Sequence, residues 1–322
     1  MSDSDSSCGP KDSMREGRGT FIYPSGAEYE GFWKNNKQEG RGTFRYPSGA
    51  VYEGNWVKGS RQGQGTFSWP IGAVYEGEFM KNMMHGIGTY RYADGRIYKG
   101  ERKENIKDGH GIYRWPNGDV YEGQFKEDKR EGIGSFLYQN GADYNGEHRR
   151  DKLHGKGSFN WPNGDLYIGD WKNGRRDGTG IYQHSDGAEY EGDFKGDKKH
   201  GIGIFRYANG SVYSGHWGDS KKEGHGTYEY PDGRVYEGNW RRDKRDGRGT
   251  YRHLDGVFFD GEWSNDKKDG SGILCWPDGK VFNGLFRDGK MEGRGLLADA
   301  SGTVLRDGFW ENGEYIGGIV TG

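Results

Sequence analysis

Few residue groupings in this chain could do chemistry. Gly155-Lys156-Gly157-Ser158 has the residue types of a phosphate loop, in which backbone N–H groups and a lysine cradle an anion. It lacks the spacing G-x-x-x-x-G-K-[ST], and no helix follows to turn its amino terminus toward a phosphate. Among nine histidines, His85, His154 and His200 share a slot just before the first glycine of a glycine pair, where other units carry Glu, Asp or Gln. Hydrogen bonding to a neighbouring turn suits every member of that column, whereas a metal site needs convergence that a single sheet does not supply. Carboxylates recur roughly 9 to 10 Å apart between units, with no neighbour that would raise a catalytic acid. No Ser/His/Asp or Cys/His constellation stands out. The two cysteines, Cys8 and Cys275, form neither a disulfide framework nor a thiolate metal site, which indicates a reducing compartment. No catalytic activity, metal or cofactor is expected.

What positions these groups is a period. Tyr29, Tyr52, Tyr75, Tyr98, Tyr121, Tyr144, Tyr167, Tyr190, Tyr213, Tyr236, Phe259 and Phe282 stand 23 residues apart without a break. A fixed period of this size signals a repeat architecture, so each residue is read first by its slot. In the unit from Tyr236 to Val257, the two-residue alternation of a strand puts Tyr236, Gly238 and Trp240 on one face. In the second strand Gly247, Gly249, Tyr251 and His253 share a face. Rings therefore alternate with bare glycines, and a ring can lie over a neighbouring glycine. Pro24-Ser25-Gly26, Pro116-Asn117-Gly118 and similar triplets reverse the chain between units, while Lys34-Asn35-Asn36-Lys37 and its counterparts form solvated hairpin tips. The fold class that follows is all-β: an elongated, single-layer antiparallel β-meander of about 13 hairpin repeats and roughly 26 or more strands. Residues 1–15 read as a disordered tail, 16–315 as the array and 316–322 as a C-terminal cap or tail.

Composition agrees. Only 30% of residues are hydrophobic while 15% are aromatic, so stability must come from stacked rings along a thin structure. Net charge is -2, from 47 basic and 49 acidic residues spread along the chain, so no global field argues for nucleic acid or an anionic membrane, and no nucleic-acid partner is expected. No apolar run is long enough to span a bilayer, and the amino terminus has no signal-peptide pattern.

The combination Tyr52-Glu53-Gly54-Asn55-Trp56 and Gly63-Gln64-Gly65-Thr66-Phe67, with a Pro-Asp/Asn-Gly turn, resembles the MORN repeat, and about 13 such units cover over nine tenths of the chain. The resemblance implies a non-catalytic scaffold or protein-interaction module. Since no kinase, methyltransferase or transmembrane segment accompanies the array, the chain is most similar to MORN-only cytoskeletal and radial-spoke head proteins. The expected setting is therefore a cytoplasmic, cytoskeleton-associated assembly, such as the radial-spoke head of a ciliary or flagellar axoneme. Partners would be cytoskeletal or axonemal subunits docking across several units. A peripheral membrane tether that binds phospholipid is the alternative, although no polybasic cluster accompanies the array and Ser2 stands where myristoylation needs glycine. A targeting subunit for an enzyme in trans is a third.

Candidate partner-binding residues are Arg45, Arg91, Arg114, Arg206 and Arg252, on the face opposite the rings, where cross-strand pairing with Glu30, Glu53, Glu76, Glu122, Glu191 and Glu237 is the competing use. Arg102 and His148 join them, standing where Trp or Phe is usual and thinning the ring ladder; Lys99 and Asn145 depart from the pattern in the same units. At the C-terminal end Leu305 takes the expected Tyr slot and Asp307-Gly308-Phe309-Trp310 arrives one residue late. That end, with Phe309, Trp310, Tyr315, Ile316 and Ile319, reads as a cap, or as a surface for self-association into a homodimer.

Overall fold

The computed structural model describes residues 14–318. Among them are 27 strands and no helix. The chain divides into two units, Met1–Leu153 and His154–Gly322.

In the first unit the strands begin with β1 (Gly17–Ile22), β2 (Glu28–Lys34), β3 (Lys37–Arg45), β4 (Val51–Val57) and β5 (Ser60–Ser68). Each pairs antiparallel with the next, and the pattern continues to the strand Asp143–Arg149. In the second unit the same meander runs from the pairing of Lys152–Asn160 with Leu166–Lys172 to that of Val304–Glu311 with Glu314–Gly318.

Two kinds of connection alternate. Within a hairpin, two residues suffice: Asn35 and Asn36 both take positive φ, 49° and 61°, which is the type I′ geometry that suits the strand twist. The tips are thus shorter than the polar run implied, and the second strand starts immediately beyond them. Between hairpins, Tyr46 donates its N–H to Ala50 O at 2.8 Å and accepts from Gly49 N–H at 2.9 Å, closing a turn with Pro47 at its second position.

Register places glycine against glycine: Gly54 lies opposite Gly65 on one side and Gly42 on the other. Tyr52 lies across the pair, and a Cβ added to Gly65 would fall 2.5 Å from the Tyr52 hydroxyl and 2.6 Å from Cε2. Neither position has room for a larger residue. The Tyr52 hydroxyl donates to Asn55 O at 3.0 Å, and Trp56 Nε1 donates to Gly42 O at 3.2 Å, so the rings keep their polar atoms satisfied. The twelve aromatic anchors set by the period are the large side chains buried below 2% exposure.

Beyond Gly54 the hairpin register slips. Trp56 pairs with Arg61, leaving Gly63 at φ +75° in a bulge. The bulge inserts an even number of residues, so Arg61 stays on the ring face.

At the C-terminal end a second slip, between Leu297 and Ala298, absorbs the late arrival of the last aromatic pair. Trp310 thereby recovers the slot opposite Gly293 and donates Nε1 to Gly295 O at 3.2 Å. At the N-terminal end Arg15 stacks its guanidinium 3.4 Å over Phe21, and Glu16 accepts the Asn35 N–H at 2.8 Å.

Candidate functional site

The two faces of the sheet are occupied differently. On the ring face, a Trp or Phe of an interior first strand is held edge-on between two of the periodic aromatic anchors, as Trp56 is between Tyr29 at 5.4 Å and Tyr52 at 5.2 Å, and Phe286 between Phe259 at 5.1 Å and Phe282 at 5.4 Å. A second row zigzags along the turns: Phe44, Tyr46, Phe67, Trp69 and Tyr90 follow one another with centroids 4.4 to 5.6 Å apart. Over these rings sits a column of cations absent from the sequence-based expectation. Arg61, Lys107, Arg130, Arg176, Lys199, Lys222, Arg245 and Lys268 stand at this slot, and Arg61 lies within 5.6 Å of Tyr52, Phe67 and Phe79. Extending the two-residue alternation one step back from Gly63 would have found them.

Each tip fastens to its neighbour through this column. Asp266 Oδ1 accepts the Arg245 backbone N–H at 3.0 Å, while Arg245 Nη2 donates to Asp266 O at 2.7 Å. Where the tip carries no acid, the cation is less compensated. Ser220 replaces the aspartate beside Lys199, whose ammonium burial pushes down to about 8 with only Asp243 opposing. At Lys268 the tip residue is Gly289, and burial followed by the charge of Arg245 lowers its pKa. In the polar slot before the glycine pairs, Glu39, Gln62 and Glu131 accept backbone N–H groups of Lys58, Lys81 and Arg150 at 2.9, 3.1 and 2.9 Å as expected, whereas His85 Nδ1 in the same column is buried without a partner.

Arg102 and His148 do not thin the ladder. The Arg102 guanidinium lies 5.7 Å from Tyr75, 5.2 Å from Tyr98 and 5.0 Å from Tyr90, and the His148 ring packs edge-on at 5.0 Å from Tyr121 and 5.1 Å from Tyr144. They are 5% and 3% exposed. Their placement as partner-contacting residues is corrected by that burial. His148 is pushed down to about 4, chiefly by desolvation and then by Arg130, which keeps it neutral at pH 7.

The opposite face carries the arginines chosen from the sequence, and all five are exposed. Their expected pairing with the glutamate column is not what forms. Glycine-on-glycine register sets Glu53 opposite Thr66 and Thr43, and Arg91 opposite Val74 and Ile97. The ion pairs instead join Arg41 to Glu53 at 3.1 Å, Arg18 to Glu30 at 3.9 Å and Arg45 to Glu28 at 3.8 Å. Arg91 and Arg114 are brought together across Ile97, while Arg45, Arg206 and Arg252 stand apart from them in the register. The phosphate-loop lookalike is a strand on this face, with Lys156 Nζ paired to Asp170 at 2.6 Å. Next to it an open furrow of about 440 Å³ is floored by Gly169 and Gly180 and walled by Ile168, Ile181 and Glu191. Ile168 and Ile181 replace the Glu and Thr of other repeats.

At the last hairpin Trp310 is buried against Phe282 at 5.1 Å and Tyr315 at 5.4 Å, and the Tyr315 hydroxyl donates to Asp307 O at 3.1 Å. These two residues close the ladder. Phe309 and Ile316 are exposed at 49% and 62%, and Ile319 lies outside the described residues, as does Cys8. Cys275 is a free thiol. Among the described residues no group of His, Cys, Asp or Glu could hold a metal ion, and no helix is long and apolar enough to cross a membrane.

The family model of the MORN repeat matches thirteen consecutive segments, from residues 11–28 to residues 282–304. The chain belongs to the MORN-repeat family. MORN repeats are in general a non-enzymatic scaffold or interaction module. No curated protein matches the chain. Among solved structures, the TCP domain of Drosophila melanogaster SAS-4, in complex with a proline-rich motif of Ana2, is 14% identical, with a TM-score of 0.33, covering 55% of this chain and 90% of that one. The TCP10 domain of Danio rerio CPAP, in complex with a STIL peptide, is 13% identical, with a TM-score of 0.21, covering 91% and 99%. At these scores the likeness carries no functional argument.

Proposed function

We propose that this MORN array is a structural scaffold whose polar face binds extended or helical protein segments, in a cytoskeletal assembly of ciliary or axonemal type such as a radial-spoke head. The observation that carries the reading is the division of labour between faces. Rings, glycines and cations on one face are consumed by packing and tip fastening, so substitution there is constrained. On the other face the slots vary from repeat to repeat, as with Arg91 and Arg114 beside Ile97, and Ile168 beside Ile181. Variation on an exposed, well-supported surface is what partner recognition needs.

The test is detergent extraction of cells expressing a tagged copy, followed by cross-linking and mass spectrometry of the insoluble fraction. Retention with fixed protein partners, weakened by Arg91→Glu with Arg114→Glu and by Ile168→Glu, supports the scaffold. Release by detergent together with lipid would promote the membrane tether instead.

A further inference from the structure

The N-terminal edge of the array is an unfinished copy of the interior packing. In interior hairpins the second glycine of the pair lies under a ring: a Cβ on Gly65 would strike Tyr52, and one on Gly249 would strike Tyr236. Gly19 occupies that slot in β1, and a Cβ built there meets no atom of the described residues within 4 Å. The missing ring would come from a strand on the outer side of β1, which has β2 as its one strand partner among the described residues.

The other walls of the seat are in place. In the interior a tyrosine touches a tryptophan 27 residues on (Tyr29 and Trp56, 5.4 Å), a cation nine on (Tyr52 and Arg61, 5.6 Å) and a ring fifteen on (Tyr75 and Tyr90, 6.4 Å). Counted back from β1, those positions are Trp33, Arg15 and Phe21. They already stand together: Arg15 lies over Phe21 and 5.1 Å from Trp33, Phe21 and Trp33 are 5.9 Å apart, and Trp33 Nε1 donates to Gly19 O at 3.2 Å. Residues 1–16 contain no aromatic side chain to fill the gap.

We propose that the outer edge of β1 is a docking site for an extended protein segment of the pattern Tyr-x-Gly-x-Trp or Tyr-x-Gly-x-Phe, which adds as a further antiparallel strand and lays its tyrosine on Gly19 between Arg15, Phe21 and Trp33. The pattern is set by the register of the array itself: glycine must face glycine for the backbones to approach, and the ring two residues before it must cover both. A second copy is a poor donor. Its Tyr-x-Gly-x-Trp or Tyr-x-Gly-x-Phe strands, such as Glu28–Lys34, Val51–Val57 and Val235–Arg241, are paired on both edges, and in the last strand, Glu314–Gly318, Tyr315 is already packed on Trp310 with its hydroxyl on Asp307 O. The site is separate from the polar face and stands or falls independently of it.

The probe is a capped, fluorescein-labelled peptide of Val51–Val57, VYEGNWV, titrated into the full chain and followed by anisotropy. Saturable binding is expected, weakened about tenfold or more by Tyr52→Ala in the peptide or by Gly19→Val in the chain. Gly19→Val has open space for its side chain and should melt like the wild type. Absence of binding, or equal binding to Gly19→Val, overturns the proposal. So does a wild-type oligomer in sedimentation that Gly19→Val converts to monomer, because the edge is then covered by a second copy.

Discussion

Gly65 and Gly19 hold the same slot of the repeat, and exchanging each for alanine should have opposite effects. At Gly65 the new Cβ lands 2.5 Å from the Tyr52 hydroxyl, 2.6 Å from Cε2 and 2.7 Å from Cζ. Tyr52 cannot retreat, since it is fully buried with Trp56 at 5.2 Å and Phe79 at 5.0 Å. Overpacking costs about 1–3 kcal/mol, and loss of the hydroxyl bond to Asn55 O adds about 1 kcal/mol. The narrower unfolded ensemble of alanine offsets about 0.5–1 kcal/mol, leaving a net loss of roughly 2–3 kcal/mol. At Gly19 only the last contribution operates, so Gly19→Ala should be neutral or more stable by about 0.5 kcal/mol. Because repeats contact only their neighbours, hydrogen exchange read by mass spectrometry is the suitable assay. Segments spanning β4 and β5 should exchange about 30- to 150-fold faster in Gly65→Ala, with distant repeats unchanged. Equal protection in the two variants would refute the packing of rings onto glycines.

His148 should make the first unit acid-sensitive. Its folded pKa of about 4 lies below the ordinary 6.5, so the unfolded chain binds the extra proton between those values and stability falls on acidification through that window. The loss from pH 8 to pH 5 is about 2 kcal/mol, and melting curves of His148→Trp should lack that component. Arg102→Phe should stabilise the same unit by about 1–2 kcal/mol in urea unfolding, because Arg102 Nε is buried without a partner and a ring restores the ladder. Gly289→Asp should raise the melting temperature of the second unit, by placing a carboxylate beside Lys268 where Asp266 serves Arg245; the turn must close from φ 91° toward the 71° of Asp266, and that strain offsets part of the gain, leaving about 0.5 kcal/mol. A fall in melting temperature would show that Lys268 is already compensated.

Much of this protein was legible in one dimension. The 23-residue period, the alternation of rings with glycines and the turn triplets determined an all-β hairpin array, its family and its buried anchors, because each contact lies within a hairpin or between adjacent ones and so repeats in the sequence. Polar tips and polar slots were legible in the same way. Three matters were decided only in the folded chain. Alternation carried back from Gly63 reaches Arg61 and its counterparts, but that they stay on the ring face past the bulge rests on a slip of an even number of residues, which only the cross-strand pairing shows. Glycine-on-glycine pairing set threonine opposite Glu53, which broke the expected arginine–glutamate ladder. Burial made Arg102 and His148 part of the stack. Sequence spacing determines which residues recur, but whether a recurrent side chain meets a partner, a ring or solvent depends on cross-strand register, and register is a property of two strands together.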